Sequence, residues 1–392
     1  MIKKMNAQVK TILLGTLFTR IALFMSAPFL VIYLSNSCHF SAIEIGYILG
    51  INPLVSVLCS PVGGYLSDKI RFYTLLIYTP IFWGIIFISF FFATTFPQFL
   101  VLNALNGFCY VIFEPTAKRT LSLFSPAEQR LSVYNFRYAA INLGAFLGPL
   151  LNLLFTGTSS LVSYLILGGI YIVYGLTALL TMRKVPLISE QRTETCTVIS
   201  KERTPSIYAY VFLLIGVTFS YFSYAQFNST VPQFLTTHSF FSSGATLYSS
   251  MLMINAAVIL LLQFPIMRFA KRISSFSAMI ISNVLFAGSL FLLPNATMLF
   301  VFFLIVLSYS LGELFLGVRF DYLVDQLAPQ GKKGLYFGLA EIPKLGNSLG
   351  PVVGAYLIQV FSLAAAQKVF FTLALITLGG SLFMQISSRI TK

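Results

Sequence analysis

Long apolar runs, each bounded by charge or by turn residues, recur along the whole chain. They fall at 11–35, 44–66, 72–94, 97–117, 130–155, 161–182, 207–235, 244–267, 274–294, 297–318, 334–360 and 364–388. A helix rises about 1.5 Å per residue and needs about 20 apolar residues to cross the hydrocarbon layer, so the pattern predicts twelve transmembrane helices. The longest polar stretch, residues 183–206, lies near the midpoint and separates six runs from six. The expected organisation is a six-helix bundle over 1–182, a cytoplasmic connector over 183–206 and a second bundle over 207–392. Lys3 and Lys4 precede the first run as they would in a signal peptide. That run is too long, carries Arg20 and lacks a small-residue cleavage site, so it reads as a retained helix.

Composition sharpens this picture. Of 392 residues, 57% are hydrophobic and 9% charged, and the mean hydropathy of +0.86 lies far above the range of soluble domains. Twelve crossings leave no room for a soluble catalytic head or a nucleotide-binding domain. The net charge of +14 is a matter of placement. With the N-terminus in the cytoplasm, 21 of the 25 basic residues fall in inner segments, and only Lys368 falls outside. Arg20, Arg137 and Lys344 lie within spans. The asymmetry sets both termini on the cytoplasmic side of the cell's inner or plasma membrane. No basic patch interleaved with aromatics lies outside the spans, so nucleic acid is not an expected partner. Cys38, Cys59, Cys109 and Cys196 are scattered, and His39 and His238 have no metal-ligand spacing, so no metal is expected.

The halves repeat. LSNSCHFSAIEIGY (34–47) parallels LTTHSFFSSGATLY (235–248) at an offset of 201. Tyr134, Gly144, Gly148 and Pro149 recur as Tyr336, Gly346, Gly350 and Pro351 at an offset of 202. Repeats of this kind mark secondary transporters, with the working site near the bilayer midplane. GGYLSDKIRF (63–72) resembles the loop signature after helix 2 of the major facilitator superfamily through Gly64, Leu66, Asp68 and Lys69. NLGAFLGPLLN (142–152) resembles its helix 5 antiporter signature through Gly144, Gly148 and Pro149, with Asn152 in place of the final Gly. YSLGELFLG (309–317) resembles the helix 10 Gly-Glu pair of its twelve-helix drug and proton antiporters. Asn103 stands where many members carry Arg in helix 4, and Asn135 and Asn228 stand where some exporters carry acids. The resemblance implies an all-α integral membrane fold, two six-helix bundles related by a pseudo-twofold around a central cavity.

An ionisable side chain at the bilayer centre costs about 2.5–3.5 kcal/mol, so each one in a span must face protein or water. Glu313, Glu114 and Glu341 are the candidate proton-coupling acids. Glu313 leads, because the resemblance puts it on a cavity-lining helix and no basic residue lies one turn away. Arg20 and Arg137 read either as anchors for an anionic or polar substrate or as partners of Glu313 and Glu341 that switch on protonation. Glu341 and Lys344 are three apart and are expected to share a helix face and neutralise each other, with Pro343 kinking the helix. Asn142, Tyr224 and Gln226 join Arg20, Arg137 and Lys344 as candidate substrate contacts, since apolar walls with a few fixed polar groups suit amphiphilic ligands.

The resemblance gives Asp68, with Lys69 and Arg71, the role of a cytoplasmic latch. The Gly and Pro residues of both repeats are expected to let helices approach and bend during conformational change. The reading is therefore a secondary active transporter, acting as a monomer and exporting a small amphiphilic compound (a drug, a siderophore or a lipid-like metabolite) in exchange for protons. The proton gradient is its energy source, with no cofactor. A proton symporter importing an anionic nutrient keeps the fold and reverses the flow. An enzyme would need a nucleophile–base or metal constellation that the chain lacks, and a sensor would need an output domain.

Overall fold

The computed structural model describes residues 6–40, 42–155, 161–182, 207–237, 244–270 and 272–391. The expected connector 183–206 lies outside the described residues, as do Lys3, Lys4, His238, Lys271 and Lys392. The described chain is helical, with no strand. The first half holds α1 (Ala7–Asn36), α2 (Ala42–Lys69), α3 (Phe72–Phe92), α4 (Phe96–Leu123), α5 (Ala127–Phe155) and α6 (Val162–Met182). The second half holds α7 (Ile207–Gln226), α8 (Thr230–Thr237), α9 (Gly244–Ala270), α10 (Ser275–Leu292), α11 (Leu299–Leu327), α12 (Lys333–Leu339), α13 (Leu345–Phe361) and α14 (Ala366–Thr391).

Local chemistry explains several boundaries. Thr95 and Gln98 form a capping box at the start of α4, the Gln98 side chain accepting from Thr95 N at 3.1 Å. Ser274 caps α10 by accepting from Ser277 N at 3.1 Å. Two expected single helices are broken. The span 207–235 divides at a turn between α7 and α8, close before Pro232. The span 334–360 is two helices, not one kinked helix: α12 ends at Leu339, and a 3-10 turn over Ile342–Lys344 leads into α13. Pro343 has no N–H to continue the ladder and restricts the residue before it.

Nine segments of the described residues are long and apolar enough by themselves to cross a bilayer. The first-half run missing from these is α5, which carries Arg130 and Arg137. In the second half, the apolar part of α9 is only Ser250–Ile266, and α13 follows the break at Pro343. Large side chains such as Leu58, Leu180, Met253 and Leu261 are exposed, as side chains facing lipid are.

Packing divides the chain into two units, residues 1–203 with 328–341, and residues 204–327 with 342–392. In the first unit α1 packs on α5 and α6, α2 on α4, and α3 on α4 and α6. In the second, α7 packs on α13 and α14, α9 on α11, and α10 on α11 and α14. Numbering the spans one to six and seven to twelve, every one of these neighbour relations in the first unit recurs in the second. The repeat seen in the sequence is thus also a repeat of packing.

The paired glycines show why. A Cβ on Gly144 would meet Arg20 Cβ at 2.7 Å, and one on Gly148 would meet Ile21 O at 2.7 Å. On the other repeat, a Cβ on Gly350 would meet Ala225 Cβ and Phe222 O, both at 2.8 Å, while one on Gly346 would also strike α7 backbone. Lipid tails are as apolar as Leu, so close backbone approach is what holds such helices together. Pro149 lies within α5 and Pro351 within α13, one residue after these contacts.

Residues 328–341, which the sequence assigns to the second bundle, pack within the first unit, α12 lying against α2 and α4. Their polar ties are described below.

Candidate functional site

Helix α4 carries the chemistry of the first unit. The sequence ends its span at residue 117 and assigns Lys118 and Arg119 to a cytoplasmic loop. The helix instead runs on to Leu123, with both cations buried. The physical reason is neutralisation. Lys118 Nζ lies 3.0 Å from Glu341 Oε1, and Arg119 Nε lies 3.4 Å from Asp68 Oδ1.

One turn before Lys118, Glu114 is buried and shared between two helices: Arg20 of α1 donates to its Oε1 and Arg137 of α5 to its Oε2. The expectation that these arginines partner Glu313 or Glu341 is corrected, since both converge on Glu114. Gly144 allows this geometry, because its missing side chain is the space into which the Arg20 backbone and Cβ fit. Protonating Glu114 would weaken both ion pairs, an unfavourable change most costly at the buried Arg137.

Glu341 is likewise held from α4. Lys118 donates to one oxygen and Tyr110 OH donates to the other at 3.2 Å. The anticipated helix face shared by Glu341 and Lys344 does not form, because the chain leaves helical geometry between α12 and α13.

Asp68, near the end of α2, accepts from Gly334 N and Leu335 N, each at 2.7 Å, in the first turn of α12. A carboxylate there satisfies orphan N–H groups and meets the positive end of the helix dipole. Lys333 Nζ donates to Ser122 Oγ at 2.5 Å. Gly64 and Gly338 let the backbones touch, a Cβ on Gly64 meeting Gly334 O at 2.5 Å.

In the second unit, Glu313 sits half-buried in α11 and accepts from Asn255 Nδ2 of α9 at 3.1 Å. Tyr224 of α7 lies within electrostatic reach of Glu313 and stacks on Tyr309, ring centroids 6.0 Å apart. Phe227 and Phe286 also pack on Tyr309, at 3.5 and 5.3 Å. An acid thus borders an aromatic group drawn from three helices.

Gln226 is engaged between helices. It is fully buried, donates to Gly350 O at 2.9 Å and accepts from Thr230 Oγ1 at 2.6 Å, so its amide ties α7 to α13 and α8. Asn142 is half-buried and donates to Tyr138 O of its own helix at 3.0 Å, leaving its carbonyl end for other work. Lys344 closes the 3-10 turn before α13 and is half-buried.

Comparison with known proteins decides the family. The Major Facilitator Superfamily description matches residues 12–342. The uncharacterized MFS-type transporter YqjV of Bacillus subtilis (strain 168) is 36% identical over 381 residues, covering 97% of this chain and 93% of that protein. The chain belongs to the Major Facilitator Superfamily. This transporter is also 23% identical to a Na(+), Li(+), K(+)/H(+) antiporter of Planococcus maritimus, covering 90% of this chain and 89% of that one. Among solved structures, the human organic anion transporter MFSD10 (TETRAN) superposes with a TM-score of 0.73 at 17% identity, covering 96% of this chain and 98% of that one. That likeness is one of fold.

As a superfamily member the protein is a multi-pass membrane transporter, and its departures from the expected motif roles are informative. Lys69 and Arg71 are exposed: Lys69 lies over the Tyr65 ring, and Arg71 donates to Tyr73 OH at 2.7 Å. The cation beside Asp68 is Arg119 instead. Asn103, at the helix 4 position where many members carry Arg, donates to Ile48 O at 2.5 Å and ties α4 to α2. Sequence reasoning missed Tyr110, Lys118, Arg119 and Asn255. A signal existed for one of them: Glu114 and Lys118 are four apart on a helix, the spacing of an interacting pair.

Proposed function

We propose that this transporter exports small amphiphilic compounds in exchange for protons by alternating access, with Glu313 as the proton carrier. The observation that carries this reading is the setting of Glu313: a half-buried carboxyl in a membrane helix, bonded to the neutral Asn255 amide and beside the Tyr224–Tyr309 rings. Glu114 and Glu341 are each committed to cations, and losing their charge would uncover buried positive groups. The bond from the Asn255 amide to Glu313 is one that a neutral carboxyl can keep, since its carbonyl oxygen still accepts. The antiporter activity named for the Planococcus relative supports proton exchange as the coupling reaction. Moving one charge through about 100 mV supplies about 2.3 kcal/mol, enough for a roughly fiftyfold gradient of a neutral solute.

In this reading the protein sits in the cytoplasmic membrane with both termini inside, and the ties from Asp68, Ser122 and Lys118 to residues 333–341 form a latch that must open in each cycle. The test uses everted vesicles with an acid interior and a proton-sensing dye. An amphiphile library should contain compounds that release protons through the wild type, and Glu313→Gln should abolish the release while protein levels hold. Undiminished release by Glu313→Gln would remove Glu313 from the role. Alkalinisation with compound leaving the vesicle lumen would mark proton-coupled import instead.

A further inference from the structure

The Asn255 amide of α9 is engaged at one end only. Its Nδ2 donates to Glu313 Oε2 of α11 at 3.1 Å. Its carbonyl Oδ1 is buried and receives no hydrogen bond from the described residues. A buried amide oxygen without a donor is costly, so the missing donor is the question this helix pair poses. The group already bonded to the amide is a carboxyl, whose hydrogen-bonding inventory changes with its charge. Ionised, it only accepts. Protonated, it gains one O–H donor and keeps a carbonyl oxygen that accepts.

The surroundings offer the amide little else. Helices α7, α9 and α10 pack on α11. Neither α7 nor α10 carries a charged residue, and Arg268 of α9 and Arg319 and Asp321 of α11 lie more than one turn along their helices from Asn255 and Glu313. Titratable phenols border the acid: Tyr224 of α7, Tyr309 one turn earlier on α11, and Tyr248 of α9 within electrostatic reach of Tyr224. Tyr309 OH donates to Tyr224 O at 3.5 Å, and Tyr248 OH to Asn228 Oδ1 at 3.4 Å.

We propose that Asn255 is the positioning residue for the transported proton. When Glu313 takes up a proton from water at Oε1, the new O–H donates to Asn255 Oδ1 while Nδ2 goes on donating to Oε2. The two side chains then form a cyclic acid–amide pair, and release of the proton reopens it. The carboxylate ties α11 to α9 through one bond from this amide and the acid through two, so the proton state sets how firmly the two helices are joined. The proposal rests on the reading of Glu313 as proton carrier for its place in the transport cycle.

The test is infrared difference spectroscopy on the purified full-length protein in lipid, titrated towards acid pH. The C=O stretch of protonated Glu313 is identified by its loss in Glu313→Gln. In the wild type it should lie at the low wavenumber of an acid bonded through both oxygens. It should shift upwards in Asn255→Leu and return towards the wild-type position in Asn255→Gln, which keeps the amide. Heavy-carbon labelling of the asparagine side-chain carbonyls needs no substitution at Asn255, so it covers a variant that fails to fold. On protonation an asparagine C=O band should shift downwards in the wild type and stay still in Glu313→Gln. A Glu313 band at one wavenumber in wild type and Asn255→Leu, an unresponsive asparagine band, or no protonated Glu313 band overturns the pair. If both bands respond but compound-driven proton release survives Glu313→Gln, the transport reading falls and the pair stands. Loss of that release with an unmoved asparagine band would do the reverse.

Discussion

Single residues in this protein are decided by charge balance. The Lys118–Glu341 pair is buried, so removing one partner takes an opposite charge from beside the other. Lys118→Met should lower the unfolding free energy by about 3–5 kcal/mol, and the Lys118→Met/Glu341→Gln double variant should recover most of it, because neither group is then a buried unpaired charge. Unfolding of the four proteins in a double-mutant cycle checks this, and additive losses would show that the pair does not interact. Glu341→Gln also separates stability from coupling: if Glu313 is the proton carrier, this variant keeps pH dependence. At this scale the sequence was legible only in part. It singled out Arg20, Glu114, Arg137, Glu313 and Glu341 but placed Lys118 and Arg119 in a loop, and it offered Glu313 and Glu341, not Glu114, as acids for the arginines. Sequence spacing reports neighbours on one helix, whereas Glu114 draws its partners from α1 and α5.

Elements follow from backbone contact. Gly148 admits no side chain, since a Cβ would lie 2.7 Å from both Ile21 O and Met25 N. Gly148→Leu should therefore separate α1 from α5 and abolish a monodisperse preparation. Gly379, whose Cβ would meet nothing within 4 Å, sits inside α14, and Gly379→Ala should be neutral or stabilising by up to about 1 kcal/mol on helix propensity. Thermal unfolding distinguishes the two sites, and equal damage at both would refute the packing argument. The latch is tested in the same spirit. Asp68→Asn removes the negative charge that meets the α12 N-terminus, so a cysteine placed at Leu335 should react faster with a cytoplasmic thiol reagent in that background. An unchanged rate would mean that Asp68 does not hold α12. The twelve spans and the glycine repeat were legible because lipid burial demands long apolar runs and close packing demands small residues. The breaks before Pro232 and Pro343 were harder to see, since a proline in a membrane helix can end it, kink it or be absorbed.

For the molecule as a whole, the duplication is the deepest regularity. The neighbour relations of the first six spans recur in the last six, and the glycine contacts of α5 on α1 are matched by those of α13 on α7. The first unit holds the arginine–glutamate cluster and the second holds Glu313 among its rings. If Glu313 couples the cycle, substrate movement and proton movement are one process. The direct test reconstitutes the purified protein in proteoliposomes with a pH-reporting dye sealed inside, and imposes a substrate gradient with no pH gradient. Substrate leaving one side should drive protons in the opposite direction, at a rate lost in Glu313→Gln. Substrate flux with a steady internal pH in the wild type would contradict it.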